Sequence, residues 1–196
     1  MDYKKEFLDI YNNEISSSRA GKNEFLNWLT NKTDFFTAPA STKFHLANEG
    51  GLCKHSVNVY KRLKNLVENE FGENWQKAIS PESVAIIGLL HDICKANYYK
   101  TEYRNVKVDG NWEQKPYYTV EDTLPYGHGE KSVYIINGFM RLTREEAIAI
   151  NWHMGGFDAR VSQNNSYTLQ TAFNQFPIAL LTHIADMEAS YLDEKD

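Results

Sequence analysis

An apolar run that ends in His91-Asp92 constrains the fold of this chain more than any other stretch. The run, residues 84–90, follows Ser-Pro-Glu at 80–82, which is typical of a helix start: a capping serine, a proline and an acid in the first turn. We predict a helix over residues 80–95, buried in the middle of the domain because it is apolar on nearly every side. Burying an unpaired charge costs several kcal/mol, so the imidazole and the carboxylate should be paired or bind a metal ion above the helix end.

Length, charge and cysteine content narrow the class of protein. The 196 residues, 42% of them hydrophobic, can form one domain (1–196), and we expect residues 1–34 to pack on its core as N-terminal helices. The net charge of −5 argues against a duplex-DNA-binding protein but permits an enzyme with a small anionic substrate. Cys53 and Cys94 are too few for a disulfide framework, and we find no signal-peptide pattern and no membrane span. We therefore expect a cytoplasmic protein with reduced cysteines.

Helical spacing of apolar residues predicts further helices before this run. Residues 3–16 and a second segment around residues 25–29 should pack as ordinary core helices. The glycine pair 50–51 breaks the chain before a helix that starts near Leu52. The apolar stripe of that helix is extended by His55, which is either a hydrogen-bonded core imidazole or a metal ligand.

The second half of the chain also has helix signals. One helix is predicted next to His128, and a capping box at residues 143–146 opens another that runs through His153. A last, largely apolar helix begins at Pro177. The polar composition of residues 157–174 predicts a loop.

Residues 98–126 differ from the rest of the chain because they are rich in tyrosine. Asp-Gly at 109–110, flanked by β-favouring residues, predicts a small inserted β-hairpin around residues 103–118. One interpretation is a surface hairpin with aromatic cross-strand pairs. The other is a lid whose tyrosines stack on a base or a sugar.

A set of histidines and aspartates lies at the ends of, or inside, the apolar segments. Its members are His55, His91, Asp92, His128, His153 and Asp186. Any one of them could be a hydrogen-bonded core residue, but six on separate core elements favour a metal site. Imidazole nitrogen and carboxylate oxygen suit Mn²⁺, Fe and Zn²⁺. Because one ion needs about three or four protein ligands, this number favours two ions that share a carboxylate.

The ordered pattern His…His-Asp…His…His…Asp resembles the HD-domain superfamily of metal-dependent phosphohydrolases, over roughly residues 35–190. Residues 91–95, His-Asp-Ile-Cys-Lys, are close to the HDxGK motif of that family, with Cys94 where the motif usually has glycine. His153 is followed by methionine where some relatives have a second histidine. The chain looks most like small bacterial or phage HD hydrolases and the HD part of a 3′–5′ exoribonuclease family. It lacks the extra signature of the HD-GYP cyclic dinucleotide phosphodiesterases.

The resemblance implies an all-α HD-domain helical bundle with two divalent metal ions, of Mn, Fe, Ni or Zn. It assigns one ion to His55, His91, Asp92 and Asp186. Asp92 would bridge to a second ion that His128 and His153 hold.

The resemblance also suggests roles for residues beside the ions. Asp92 is the candidate catalytic ligand, and Lys95 is either a phosphate clamp and leaving-group aid or a solvated helix-end lysine. His45 is a candidate contact to the substrate phosphate. His183, one turn before Asp186, is a candidate to orient a ligand.

Three classes of function are compatible with these residues. The leading hypothesis is a phosphohydrolase in which a metal-bound hydroxide cleaves a phosphomonoester or phosphodiester, of a nucleotide or short oligonucleotide. The second is a di-iron oxygenase, because the same ligand set resembles that of the inositol oxygenase group. The third is a non-catalytic binding module, against which the complete ligand set argues. The sequence leaves the substrate, the native metal and the oligomeric state open.

Overall fold

The computed structural model describes residues 2–161 and 166–195 and is mostly helical, with one two-stranded antiparallel sheet. This composition is compatible with the expected helical bundle that carries a β-hairpin. The elements are, in chain order, α1 (Tyr3–Glu14), α2 (Lys22–Asn31), α3 (Gly51–Phe71), α4 (Trp75–Ala78), α5 (Pro81–Leu90), β1 (Tyr99–Val108), β2 (Asn111–Val120), α6 (His128–Asn137), α7 (Arg144–Asn151), α8 (Ser166–Gln175) and α9 (Pro177–Glu188).

Helix α5 is the buried centre of the fold, as predicted. Ser80 caps it by accepting a hydrogen bond from the main-chain N–H of Ser83, and residues 84–90 are all buried. The helix packs on α3, α1 and α7. Gly88 allows the closest of these contacts, because a Cβ there would lie 2.5 Å from Tyr60 Cα on α3.

The predicted end of α5 at residue 95 is wrong. The α-helix ends at Leu90, and a separate 3₁₀ turn covers Ile93–Lys95. Asp92 leaves helical geometry with φ −102° and ψ 18°, and Asn97 has a positive φ of 54°, which a continuing helix does not allow. The α-helix therefore ends directly before the His91-Asp92 pair.

The N-terminal helices pack on the core, as expected. Phe7 and Tyr11 of α1 and Phe25 of α2 are fully buried and belong to the same apolar cluster as α5. Helix α3 begins at Gly51, next to the predicted start at Leu52.

The predicted hairpin is present and longer than the interval 103–118. The ladder runs from Tyr99 paired with Val120 to Val108 paired with Asn111. Asp109 and Gly110 have φ of 48° and 89°, as a two-residue turn with two left-handed positions requires.

The described part of the C-terminal half contains an α-helix, α8, that the sequence did not predict. Residues 166–174 were expected to be loop, but they lie in α8, which packs Leu169 and Ala172 on Trp152. Polar residues lie between Leu169 and Ala172 in the sequence, so the helical spacing of the apolar residues is difficult to recognise there. The part of the expected loop at residues 162–165 lies outside the described residues.

The capping box between Thr143 and Glu146 is formed as predicted. Helix α7, however, ends at Asn151, so His153 lies in the turn after the helix and not inside it. Within the described ranges, none of the helices combines the length and apolar character that a membrane span requires.

Candidate metal centre

The ends of several helices bring the six predicted ligands together. His55 lies in the first turns of α3, His91 directly after α5 with Asp92 next to it, and His128 opens α6. His153 follows α7, and Asp186 lies in α9. The set is largely buried, and the most exposed side chain, that of His128, is 30% accessible.

One half of the cluster is centred on His55. Its Nε2 lies 3.2 Å from Asp186 Oδ1, 3.3 Å from His91 Nε2 and 3.6 Å from Asp92 Oδ2. Two ligand atoms of one ion, at bonds of about 2.0–2.2 Å, lie roughly 2.9–3.5 Å apart. The separations therefore resemble the edges of a coordination polyhedron.

The other half faces the second oxygen of Asp92. Asp92 Oδ1 lies 2.7 Å from His128 Nε2 and 3.3 Å from His153 Nε2. One carboxylate thus presents Oδ2 to His55 and Oδ1 to the later histidines. This is the arrangement that a carboxylate bridging two ions needs.

The hydrogen bonds of the ring Nδ1 atoms determine which nitrogen faces the cluster. His91 Nδ1 donates to the main-chain oxygen of Gly88 at 2.9 Å, and His153 Nδ1 donates to that of Ile150 at 2.7 Å. In a neutral ring the lone pair is then on Nε2, which points into the site.

His153 provides the test of whether a cation fits. Its ring is fully buried, and its Nε2 makes no hydrogen bond within the described part of the chain. A buried acceptor without a partner costs about 1–3 kcal/mol, so native proteins rarely leave one. A divalent cation between this nitrogen and Asp92 would satisfy it.

Glu194 is a site residue that the sequence did not reveal. Its side chain is buried, and His55 Nδ1 lies 3.1 Å from Oε2, while Asn58 Nδ2 donates to Oε1 at 2.9 Å. Burial opposes ionisation, but these hydrogen bonds lower the pKa of Glu194. It lies in a short charged stretch near the chain end, where no spacing distinguishes it from exposed acids.

The protonation states of His91 and Asp92 favour a cation, whereas His55 would have to release a proton to bind one. Burial lowers the pKa of His91 to about 3, so the ring is neutral and keeps its lone pair. Burial would raise the pKa of Asp92, but the charge of Lys95 and the hydrogen bond with His128 lower it well below its usual range. Burial opposes charge on His55, yet hydrogen bonds with Asp186 and Glu194 raise its pKa to about 10.

Lys95 and His45 both lie beside the cluster, and their roles toward a substrate stay predictions. Lys95 Nζ is 2.6 Å from Asp92 Oδ2, and the charge of Asp92 outweighs burial and raises the pKa of this lysine. The His45 ring is 5.0 Å from that of His55. Burial, followed by the charge of His55, lowers the pKa of His45.

His183 acts on the main chain. Its Nδ1 donates to the carbonyl oxygen of His153 at 2.8 Å. Its ring packs against Gly155, where φ is +54° and a Cβ would lie 2.5 Å from the ring. It therefore holds the turn that carries His153, and its expected role in orienting a ligand stays a prediction.

A cavity of about 490 Å³ opens onto the cluster. Its lining includes Asp92, Lys95 and His45, together with the exposed aromatic residues Phe44, Phe157 and Tyr191. Within the described ranges, none of its lining residues comes from the hairpin segment 98–126. Tyr98, Asp122 and Tyr126, which flank the two strands, instead line a smaller cavity of about 120 Å³ beside Cys94, Lys95 and His128. The surface position is therefore favoured for the strands only, because they line neither cavity.

The geometry thus defines the class of site. It is a buried cluster of histidines and carboxylates that could hold divalent metal ions. Comparisons of the chain with protein-family models, curated proteins and solved structures found no match.

Proposed function

We propose that this chain is an HD-type metal-dependent phosphohydrolase that cleaves a phosphomonoester or phosphodiester, of a nucleotide or short oligonucleotide, at a site for two divalent metal ions. The observation that carries the proposal is the pair of donor groups on the two oxygens of Asp92. His55, His91 and Asp186 would hold one ion with Asp92, and His128 and His153 would hold the other.

Bound divalent ions would supply two effects: a lowered pKa of a coordinated water and stabilisation of charge on the phosphoryl oxygens. The chain holds the ligands ready for this role. The Nδ1 hydrogen bonds of His91 and His153 to the main chain fix both rings with Nε2 directed at Asp92.

The position and charge of Lys95 are evidence for an anionic substrate. Its raised pKa keeps the ammonium charged near neutral pH, so it serves as a cation and not as a base. It lines the cavity beside Asp92, where an ammonium can donate to a phosphate oxygen. His45, on the same wall, is a second candidate donor to the phosphate.

The aromatic wall supports the nucleotide part of the proposal. Phe44, Phe157 and Tyr191 are 79%, 64% and 58% exposed, although large aromatic side chains are usually buried. Stacking of one base on an aromatic side chain contributes about 1–3 kcal/mol. A nucleobase on this wall would leave its phosphate near Lys95.

The test begins with elemental analysis of freshly purified protein. Metal-stripped protein is then assayed for phosphate release from nucleotides and short oligonucleotides with Mn²⁺, Fe²⁺, Ni²⁺ or Zn²⁺ restored. We expect Asp92→Ala and the isosteric Asp92→Asn to lose metal retention and turnover. The matched control is Asp9→Ala, at an exposed aspartate of α1, which should keep both.

Two outcomes would overturn the proposal. Normal turnover by a folded Asp92→Asn variant would show that the shared carboxylate is not needed. Oxygen uptake by the iron-loaded protein, without cleavage of any phosphoester, would instead establish the di-iron oxygenase alternative.

A further inference from the structure

We propose that Cys94 is an additional metal ligand, so that the ion between Asp92, His128 and His153 has a sulfur donor and the ion beside His55 has none. This inference rests on the proposed metal centre and adds a ligand to it. It predicts two chemically different ion sites on the two sides of one carboxylate.

The distances around Cys94 are those of a ligand. Its Sγ lies 3.5 Å from His128 Nδ1 and 3.6 Å from His128 Nε2. Sγ, a ring nitrogen of His128 and a carboxylate oxygen of Asp92 all lie within 4.8 Å of one another. In a tetrahedral zinc site, bonds of about 2.3 Å to sulfur and 2.05 Å to nitrogen place the two ligand atoms about 3.5 Å apart.

The backbone holds the cysteine in this position. Cys94 belongs to the 3₁₀ turn that follows Asp92, and its main-chain N–H donates to Ser132 Oγ at 3.2 Å. Ser132 lies one turn after His128 on α6, so this bond joins the cysteine to the helix of the neighbouring ligand. The side chain is 3% exposed.

His153 gives an independent indication that a ligand belongs on this side. Its buried and unpartnered Nε2 lies 3.3 Å from Asp92 Oδ1, the same oxygen that His128 approaches. Cys94, His128 and Asp92 present donor atoms within 4.8 Å of one another, whereas His153 is close in the same way to His91 and Asp186. With His153, which approaches the same oxygen of Asp92, an ion on this side would have up to four donors. Four donors of these types are the usual number for tetrahedral Zn²⁺.

The sulfur changes which metal each side prefers. A thiolate is a soft donor that favours Zn²⁺ or Fe²⁺ over Mn²⁺, whereas imidazole and carboxylate accept all three. The thiol loses its proton to solvent when the ion binds. Since the related HDxGK motif has glycine at this position, the sulfur donor is a property of this chain.

The test uses Co²⁺ alone as the probe, because a cobalt–thiolate bond produces an intense near-ultraviolet charge-transfer band that imidazole and carboxylate do not. We expect the band in the wild-type protein, and its loss in Cys94→Ser and Cys94→Gly while the weaker visible cobalt bands persist. Competition titration should show that one of two Zn²⁺ equivalents binds at least about 10-fold more weakly to Cys94→Ser.

Cys53 provides the matched control. It is also buried and unpaired but lies on α3 in the apolar core, so Cys53→Ser should keep the band. Visible cobalt bands without a charge-transfer band in the wild-type protein would overturn the role of Cys94 alone. Failure of the wild-type protein to bind Co²⁺ or Zn²⁺ at all would overturn the metal centre as well. Both results come from the wild-type protein and do not depend on folding of the variants.

Discussion

At the scale of single residues, the site depends on what occupies the Nδ1 atom of each histidine. His91 and His153 donate to main-chain carbonyls three residues earlier in the chain, so their orientation is set locally. His55 depends on a side chain more than a hundred residues away, Glu194. A carboxylate behind a histidine ligand fixes the ring and increases the basicity of the nitrogen that binds the metal.

We therefore expect Glu194→Ala to weaken binding of the ion beside His55 by about 10–100-fold. Glu194→Gln should have a smaller effect because the amide oxygen still accepts from Nδ1. Metal affinity is measured by competition with a chromophoric chelator.

The adjacent Asp193 is the control for Glu194. It pairs with Arg62 at the surface, so Asp193→Ala removes an acid from the same segment without touching His55. Equal losses of affinity in Asp193→Ala and Glu194→Ala would show that only the fold of the chain end matters.

At the scale of elements, the hairpin is separate from the cavity. Its outer residues are exposed, with Tyr103 at 65% and Trp112 at 72%. Tyr99 at its base is tied to the body of the molecule, where its hydroxyl donates to the main-chain oxygen of Ala40. The outer strands therefore contribute to neither the ligands nor the cavity wall.

We expect that replacing residues 103–116 by Asp-Gly leaves kcat/KM for a mononucleotide within about twofold of wild type, or roughly 0.4 kcal/mol. The shortened strands can pair, because Glu102–Tyr117 and Val108–Asn111 are separated by an even number of residues and share one type of ladder position. Phosphate release and circular dichroism check the variant. A folded variant that has lost turnover would establish the hairpin as a lid.

The elements also show which signals the sequence contained. Local signals predicted α5 from its proline start, α7 from its capping box and the turn at 109–110 from Asp-Gly. Each of these signals depends on residues that are close together in the sequence. Helix α8 was missed because its few apolar residues are stabilised by packing on Trp152, a contact that its own sequence does not contain.

The residues of the candidate site show the same difference between signals that are local in the sequence and contacts that are distant in it. Most of the six candidate ligands could be proposed because a polar side chain interrupts or ends an apolar segment, and buried polar groups need partners. His128, which lies between two glycines, fits the set through the ordered pattern of histidines and aspartates. Glu194 could not be identified, since its partner His55 is distant in sequence and its neighbours are polar. The orientation of Cys94 depends on the early end of α5, which the apolar pattern did not reveal.

At the scale of the whole molecule, the cluster lies where several helices meet around one apolar core. The core extends from α1 to α9 and is large enough for the chain to fold without an ion. The candidate ligands, however, come from several elements, and only His91 and Asp92 share one, so bound ions would connect the ends of α3, α5, α6 and α7 with α9. Binding to the folded state alone must then stabilise the whole fold.

We expect Zn²⁺ at 100 times its Kd to add about 2.7 kcal/mol to the free energy of unfolding, which raises Tm by about 5–10 °C for a chain of this size. Differential scanning calorimetry of stripped and reloaded protein measures the shift. Asp186→Asn removes one carboxylate beside His55. This variant should lose most of the rise in Tm on metal binding, since the neutral amide is a poorer ligand. An unchanged shift in this variant would mean that the stabilising ion binds elsewhere.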